Sequence, residues 1–308
     1  MLDCAVVIVN YRSADLVSSC LAALGADAPS QVVIVDNASG DGSAELLRER
    51  HPQADVVQRA ANDGFAAGVN AGFATTSAAV VVVLNPDTAP RPGALARLVE
   101  HLAGSPRTGV AAPLLVYEDG TPQASAYRRS PGLAMLFIDL CLPLGFVVQR
   151  FPRLDPYRVP PARLRDGTSV AHVAGAAIAV RRAAYDAAGP LDEVFFLYLE
   201  ETEWQERVRG AGWTVDMVPS AEVTHLVRGG GERSLAPSPH FLHSARRYLR
   251  MRGYPPVATE AMIVSSLALS RLATRAERLV VPAQRRTGGA RAEAYEALWR
   301  ARRAPVVR

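Results

Sequence analysis

The stretch that decides the fold is Val80-Val81-Val82-Val83-Leu84-Asn85-Pro86-Asp87, a run of apolar residues followed by a polar turn. Five successive apolar residues without alternation indicate a strand buried on both faces, as in parallel sheets covered by helices. Ligands of such sheets bind beyond the carboxyl ends of the strands. Asn85 and Asp87 therefore stand where a ligand site is expected. Taken alone, an ordinary Asn-Pro turn explains them more simply.

On both sides of this stretch, short apolar runs alternate with amphipathic segments, which predicts an α/β fold with a mainly parallel sheet flanked by helices. A hairpin is predicted where residues 110–117 precede the turn Glu118-Asp119-Gly120. The predicted strands cover residues 5–9, 32–35, 56–57, 80–84, 170–180 (a strand or strand pair) and 213–218. The predicted helices cover residues 16–24, 43–50, 65–75, 92–103 and 199–209.

The distribution of charge divides the chain into two parts. All 34 basic residues are arginines; residues 1–227 hold 18 of them against 25 acidic residues, and residues 228–308 hold 16 against 5. We predict a catalytic domain over 1–230 and an arginine-rich helical extension over 231–308. The extension suits an anionic membrane surface or a phosphorylated substrate, or it is a packed helical subdomain with a solvated arginine face. No nucleic-acid motif is recognisable, so no nucleic-acid partner is expected.

Hydropathy and cysteine usage bear on the cellular compartment. The apolar segment 131–148 is interrupted by Asp139 and Pro143, so it predicts a buried or membrane-grazing segment rather than a spanning helix. Three scattered cysteines fit a reducing compartment. Asp3 stands where a signal peptide would be positively charged. We expect a cytoplasmic protein that can associate peripherally with the inner face of the plasma membrane.

Polar residues at two other strand ends extend the candidate site. Asp36 closes an apolar strand, where a carboxylate can accept hydrogen bonds from a nucleotide or cap the next helix. In the segment from Asn62 to Gly72, glycines recur every four residues and share one helix face. They serve either close approach of a ligand near Gly64 and Gly68 or tight packing of the helix on the sheet.

A third group of candidates lies in the second half of the domain. Glu200, Glu201 and Glu203 place three carboxylates within four residues. Glu203 can pair with Arg207 four residues later, whereas Glu201 is a candidate general base. The negative charge also suits the start of a helix. His225, after an apolar strand, is a metal ligand or a structural histidine.

The order of these segments resembles the family 2 inverting glycosyltransferases of GT-A fold, within them the rhamnosyltransferase-type branch. The resemblance covers roughly residues 3–230 and includes Gly175 to Arg182 and Gly189 to Phe196. It rests on the segments Val-Ile-Val-Asn-Tyr-Arg-Ser (7–13), Val-Asp-Asn-Ala-Ser-Gly-Asp-Gly-Ser (35–43), Asn-Asp-Gly-Phe-Ala-Ala-Gly-Val-Asn-Ala-Gly (62–72) and Asn-Pro-Asp (85–87).

The resemblance implies a role for each matching residue. Glu201 stands at the position of the catalytic base, which is usually the aspartate of a Glu-Asp pair and here belongs to a Glu-Glu pair. In the nucleotide-sugar site, Tyr11 and Asp36 would contact the nucleobase, and the other residues would be Asn62, Gly64, Gly68 and Asn85. The implied metal ligands, for Mg²⁺ or Mn²⁺, are Asp87 and His225.

The implied activity is inverting, metal-dependent transfer of a sugar, rhamnose or another deoxysugar. The donor would be a nucleotide-diphosphate sugar such as a dTDP-sugar, and the acceptor a glycan or a polyprenyl-diphosphate-linked sugar. The glutamate in place of aspartate leaves a second reading open, a nucleotide-sugar-binding component of a polysaccharide assembly system that has lost catalysis.

Overall fold

A computed structural model describes residues 2–127, 129–151, 154–226, 238–280 and 285–302. It divides into two compact units. The first comprises residues 1–130, 158–196 and 200–227, and the second comprises 131–157, 197–199 and 228–308. The predicted boundary between a catalytic domain and its extension, at residues 230 and 231, lies outside the described residues.

The first unit is built on a nine-stranded mixed sheet in the order β3-β2-β1-β4-β10-β6-β11-β5, with β8 pairing to β11. The predicted fold class, a mainly parallel sheet flanked by helices, is confirmed. Its strands are β1 (Leu2–Asn10), β2 (Pro29–Asp36), β3 (Asp55–Gln58), β4 (Val80–Leu84), β5 (Thr88–Pro90), β6 (Thr108–Val116), β8 (Thr168–Ser169), β10 (Ala177–Arg181) and β11 (Thr214–His225). A separate two-stranded sheet pairs β7 (Ala126–Tyr127) with β9 (His172–Val173).

Helices cover both faces of the sheet in the first unit. Because side chains alternate along a strand, Val82 and Leu84 enter the core on one face with α1 and α4, and Val81 and Val83 enter the core on the other with α3 and α8. The helices of this unit are α1 (Ala14–Leu24), α2 (Ser43–Arg50), α3 (Phe65–Thr75), α4 (Ala94–Gly104), α7 (Arg182–Ala188) and α8 (Glu200–Gly210).

Two strand predictions differ from the structure. The hairpin predicted at 110–117 is present only as a short turn-back, in which the Gln123 N–H donates to the Leu115 carbonyl and Val116 bridges Pro122 antiparallel. The main partners of β6 are β10, antiparallel, and β11, parallel. The strand predicted at 213–218 continues to His225, since an irregularity between Val218 and Glu222 accommodates the interruption in its apolar pattern.

The second unit is helical in its described residues. Its helices are α5 (Leu133–Leu140), α6 (Leu142–Arg150), α9 (Pro239–Met251), α10 (Pro256–Val280) and α11 (Arg285–Ala301). α10 packs against the other four helices, and Arg271 pairs with Glu296 of α11 and lies over the Trp299 ring. Within the described residues, one segment, Pro256–Ala276, is long and apolar enough to cross a membrane, but buried core helices meet the same criterion.

Candidate active site

Three parallel strands place polar residues at one edge of the sheet. Asn10 ends β1, Asp36 ends the neighbouring β2, and Asn85 follows β4 on the other side of β1. Parallel strands bring their carboxyl ends to the same edge, so these segments form one rim. The backbone N–H of Asn85 donates to Ala176, which ties the Asn85-Pro86-Asp87 turn to the segment before β10.

The Asp36 carboxylate organises the loops that follow β1 and β2. Asn10 Nδ2 donates to its Oδ1 at 2.7 Å, Ser39 Oγ donates to the same oxygen, and the Ser39 N–H donates to Oδ2. Asp36 is only 1% exposed. A nucleotide contact of Asp36 stays a prediction, and any such contact would share a carboxylate that the loops already use.

Tyr11 is the exposed aromatic of this rim, with 46% of its surface accessible. The Arg12 guanidinium lies 5.2 Å from the centre of the Tyr11 ring. Arg12 itself has a φ of 53° and is held by Ser39, whose Oγ accepts the Arg12 backbone N–H. An exposed ring at a strand end suits stacking on a nucleobase, the role predicted for Tyr11.

Asn62 and Gly64 lie next to the Asp36 loop through a network of amide hydrogen bonds. Asn37 Nδ2 donates to Asn62 Oδ1 at 2.7 Å and to the Gly64 carbonyl at 3.0 Å. Arg59 donates to Asn37 and pairs with Asp63. Two of the predicted residues, Asn62 and Gly64, are thus brought beside the end of β2, through Asn37 and Arg59, which the sequence did not single out.

The glycines of α3 are explained by packing. A Cβ on Gly68 would lie 2.6 Å from Val9 Cγ1, and one on Gly72 would lie 2.3 Å from Val7 Cγ1. Gly64, with a φ of +96°, touches the backbone of Phe196. These contacts seat α3 on β1, as the packing alternative predicts. A role of Gly68 in binding the donor stays a prediction and would act through the position of α3.

Asp87 and His225 form the other candidate centre on this rim. Thr88 of β5 pairs with His225 of β11, and the N–H of Leu226 donates to the Asp87 carbonyl. His225 Nε2 lies 3.6 Å from Asp87 Oδ1, and both side chains are partly exposed. Two residues separated by 138 positions in the sequence are therefore brought together by the pairing of β5 with β11.

Gln123 fixes the His225 ring. Its Nε2 donates to the carbonyl oxygens of Val116 and His225, which leaves its Oε1 facing His225 Nδ1 at 3.1 Å. The oxygen can only accept, so Nδ1 carries the proton and the lone pair of Nε2 points toward Asp87. Sequence analysis missed Gln123, because a glutamine after a Gly-Thr-Pro turn carries no signal for this contact.

The donor set of this pair fits a divalent cation. A carboxylate oxygen and a neutral imidazole nitrogen suit Mn²⁺, and Mg²⁺ binds with few protein oxygens where phosphates supply the rest. A histidine held through its second nitrogen is typical of metal ligands. Among the described residues there is no group of three or more His, Cys, Asp or Glu that could hold a metal. The pair alone would hold the ion only together with oxygens of a bound substrate.

Glu200 and Glu201 begin α8, where Glu200 is buried and Glu201 is partly buried. Glu200 is 4% exposed, and one oxygen of each carboxylate, Oε2, is buried without a hydrogen-bond partner. Burial and the neighbouring Glu201 raise the pKa of Glu200 well above its usual value. Burial also raises the pKa of Glu201, although hydrogen bonds from the backbone N–H groups of Glu201, Thr202 and Gly175 partly offset this rise. Glu203 instead pairs with Arg207, as predicted.

Glu201 borders a small cavity that is otherwise lined by apolar residues. A Cβ on Gly175 would approach Glu201 Cγ and Cβ at 3.1–3.2 Å, so the glycine leaves room for the glutamate side chain. A carboxylate with an unsatisfied oxygen and a raised pKa is a good proton acceptor near neutral pH. The cavity is lined by Phe65, Val69, Phe73, Val83, Gly175, Ile178, Val180, Leu191, Glu201 and Trp204.

A profile of the family described as Glycosyl transferase family 2 matches residues 5–188. The chain belongs to this family. It is similar to an N-acetylglucosaminyl-diphospho-decaprenol L-rhamnosyltransferase of Mycobacterium tuberculosis, with 31% identity over 234 residues that cover 71% of this chain and 75% of the relative. The protein is thus a glycosyltransferase, and its resemblance to the rhamnosyltransferase branch is confirmed.

Solved structures show the same GT-A fold. The archaeal mannosyltransferase PcManGT from Pyrobaculum calidifontis, in complex with GDP-Man and Mn²⁺, matches with a TM-score of 0.55 and 17% identity over 97% of this chain and 85% of that one. GalNAc-T7 with UDP, GalNAc and Mn²⁺ matches with a TM-score of 0.60 and 18% identity over 91% of this glycosyltransferase, which spans 52% of that chain.

Proposed function

We propose that this glycosyltransferase moves a rhamnosyl or other deoxysugar group from a nucleotide-diphosphate sugar, such as a dTDP-sugar, to a sugar linked to a polyprenyl diphosphate. The observation that carries the proposal is the Asp87–His225 pair at the rim of the sheet, 3.6 Å apart with Nε2 facing the carboxylate. The name of the mycobacterial relative supports both the rhamnosyl group and the lipid-linked acceptor.

Asp87 and His225 would hold Mg²⁺ or Mn²⁺ against the donor diphosphate. A cation bound there supplies charge neutralisation for the leaving nucleoside diphosphate. The chain's own contribution is to orient the ligands, since Gln123 holds the His225 ring in one tautomer. Tyr11 and the Asp36 loop would receive the nucleobase at the ends of β1 and β2.

Glu201 would remove the proton from the acceptor hydroxyl as that oxygen attacks the anomeric carbon. A single displacement, with the base and the leaving diphosphate on opposite faces of the sugar, inverts the anomeric centre. The bond from the acceptor oxygen to the anomeric carbon forms as the bond to the diphosphate oxygen breaks, and the proton passes to Glu201. Burial of Glu201 keeps its carboxylate poorly solvated and therefore basic.

The metal role is tested with Asp87→Ala and with EDTA. We expect Asp87→Ala to lower kcat by about 10²-fold or more, because charge stabilisation of the leaving group is lost. EDTA should stop the wild-type enzyme, and added Mn²⁺ or Mg²⁺ should restore it. Asp186→Ala, which removes an exposed carboxylate of α7, is the matched control. Full activity of Asp87→Ala, or activity that persists in EDTA, contradicts the metal role.

The base is tested with Glu201→Gln. We expect donor binding measured by calorimetry to be unchanged and the transfer rate to fall by about 10²–10⁴-fold, the usual contribution of a general base. An unchanged rate would place the base elsewhere. If the wild-type protein binds the donor but transfers to no acceptor, the second reading, a binding component that has lost catalysis, is favoured.

The second unit offers a surface for the membrane in which a polyprenyl acceptor resides. The segment predicted as buried or membrane-grazing has both kinds of residue, because Leu136 and Leu140 are buried whereas several described residues of α6 and just after it are exposed. Phe146 is 66% exposed. The exposed apolar side chains of this stretch, which we call the α6 surface, are Leu144, Phe146, Val147, Phe151 and Leu154.

We infer that the α6 surface inserts into the inner face of the plasma membrane, since exposed aromatic and aliphatic side chains insert at the lipid headgroup boundary. The arginine excess of residues 228–308 favours anionic lipid. Phe146→Ser with Phe151→Ser should lower sedimentation with vesicles containing phosphatidylglycerol about 10-fold. Val257→Ser, at a still more exposed apolar position on α10, is the control and should leave sedimentation unchanged. Sedimentation that ignores anionic lipid or the double substitution contradicts this assignment.

A further inference from the structure

A stack of three side chains in the first unit has no part in the site described above. The Tyr127 ring stacks on the His172 ring with centres 4.3 Å apart, and the Arg158 guanidinium lies 5.5 Å from the centre of the Tyr127 ring. The backbone fixes this arrangement, because Tyr127 pairs with His172 between β7 and β9 and forms a bridge with Arg158.

Arg209, on α8, places a second guanidinium near enough to His172 to act on its charge. Its Nη2 donates to Ser130 Oγ at 3.1 Å, whereas its Nε is buried without a hydrogen-bond partner. His172 is 3% exposed, and its Nδ1 is also buried without a partner. Buried polar atoms left unpaired cost roughly 1–3 kcal/mol each, so two of them in one cluster point to a function.

The charge around His172 is positive. Burial, together with the Arg209 and Arg158 guanidiniums, lowers the pKa of His172 to about 3, so the ring is neutral at physiological pH. Two guanidiniums beside a neutral imidazole and a tyrosine make a site for an anion. Planar guanidinium groups bind phosphate oxygens in pairs and are well suited to a diphosphate.

The position of the cluster relative to Glu201 defines which anion it would bind. Arg209 lies eight residues after Glu201 on α8, or about 12 Å along the helix axis. Gln205, between them, exchanges two hydrogen bonds with the Val173 backbone and thereby holds β9 against α8. An acceptor whose hydroxyl meets Glu201 would reach this distance with one sugar ring and an attached diphosphate.

We propose that Arg158, Tyr127, His172 and Arg209 form the binding site for the diphosphate of the acceptor. The proposal rests on the proposed function, since it takes Glu201 as the base. It assigns recognition of the lipid-linked class of acceptor to a place away from the Asp87–His225 pair, which would meet the diphosphate of the donor.

Arg209→Gln tests the proposal by comparing two acceptors, farnesyl-diphosphate-linked N-acetylglucosamine and octyl N-acetylglucosaminide. We expect the KM for the diphosphate acceptor to rise about 10- to 100-fold, with the KM values for the octyl glycoside and for the donor unchanged. Arg163→Gln, an exposed arginine of the same unit, is the control. Equal changes for both acceptors, or a raised donor KM, would overturn the proposal and point to the donor diphosphate instead.

Binding of inorganic pyrophosphate tests the cluster without catalysis. Calorimetry in EDTA removes the contribution of a metal-bound site, and we expect wild-type protein and Arg163→Gln to bind pyrophosphate and Arg209→Gln to bind it at least 10-fold more weakly. Circular dichroism verifies that the variants are folded. Equal affinity in all three proteins refutes the cluster. If Arg209→Gln loses pyrophosphate binding but the wild-type protein transfers sugar to no acceptor, the proposed function is refuted. The anion site itself is still supported in that case.

Discussion

Among single residues, Glu200 and Glu201 are the most unusual, because buried carboxylates normally have hydrogen-bond partners. Each buries a carboxylate oxygen that no donor reaches. The backbone before them is strained as well, since Tyr198 and Leu199 have φ values of 72° and 66°. Strain and unpaired charge are kept in proteins where a reaction needs them, at a cost in stability.

Glu200→Gln should stabilise the protein at neutral pH. Because the folded-state pKa of Glu200 is raised, the folded protein keeps a proton that the unfolded chain loses, and stability falls as pH rises from about 4.5 through the folded pKa. Urea denaturation at pH 8 should show a free energy of unfolding about 1–3 kcal/mol above wild type, and a smaller difference at pH 5. Glu49→Gln, at an exposed position, should change neither value.

The same burial predicts the pH dependence of transfer. A base must be deprotonated to act, so kcat/KM should rise with pH through the raised pKa of Glu201, above the range of an exposed glutamate. A rate profile between pH 5 and 9 measures this limb. An ascending limb at the pKa of an ordinary glutamate would show that Glu201 is solvated during the reaction.

Gln123→Ala should weaken the proposed metal site without removing either proposed ligand. Without the Gln123 oxygen as acceptor for Nδ1, the His225 ring is no longer fixed in one orientation and tautomer. We therefore expect the apparent Kd for Mn²⁺ to rise 10- to 100-fold and kcat at saturating metal to stay about that of the wild type. Titration of activity with Mn²⁺ measures both quantities. Gln53→Ala, at an exposed position, should leave them unchanged.

At the level of elements, α3 shows how a glycine-containing helix packs closely against a strand. Gly68 and Gly72 let it approach β1 until Val9 and Val7 fill the space of the missing side chains. Glycine lowers helix stability by about 1 kcal/mol relative to alanine, so the close packing must offset this cost.

Gly72→Ala should therefore destabilise the protein despite the better helix propensity of alanine. Its Cβ would lie 2.3 Å from Val7 Cγ1, and overpacking of this kind costs about 1–3 kcal/mol. Gly104→Ala, in α4, meets no atom within 4 Å and should be neutral or stabilising by up to about 1 kcal/mol. Thermal unfolding compares the two, and equal melting temperatures would show that α3 shifts to accept the methyl group.

The sequence predicts elements whose pattern is local and misses contacts that depend on topology. The apolar run at Val80 and the glycine period of α3 give the bounds of both elements correctly. The partners of β6 could not be predicted, because its apolar pattern does not distinguish a hairpin from an interior strand. Likewise, the sequence indicates Asp87 as a candidate metal ligand. It does not indicate the contact of Gln123 with His225, because that contact forms after a turn and leaves no periodic pattern in the sequence.

For the whole molecule, the charge is divided between an acidic N-terminal part and a basic C-terminal part. The net charge is −7 over residues 1–227 and +11 over residues 228–308. Surface charge of this size acts on association with charged partners and not on the fold. We therefore expect donor binding to be governed by the metal and vesicle binding by ionic strength.

Ligand binding should stabilise the whole protein. A donor at 100 times its Kd raises the free energy of unfolding by about 2.7 kcal/mol. Thermal shift assays with dTDP-, UDP- and GDP-sugars, each with and without Mn²⁺, should give a metal-dependent rise in melting temperature for the true donor. Asp87→Ala should lose the metal-dependent part. A rise that is equal with and without Mn²⁺ would contradict the metal-assisted binding of the donor.

The pairing of β5 with β11 also has a consequence during synthesis. Asp87 leaves the ribosome 138 residues before His225, so the nascent chain cannot assemble the proposed metal pair until β11 has emerged. β1 to β4 pair among themselves and can be complete by then. A ribosome-bound chain stalled short of His225 is thus expected to hold the edge proposed for the nucleotide and to lack the proposed metal pair.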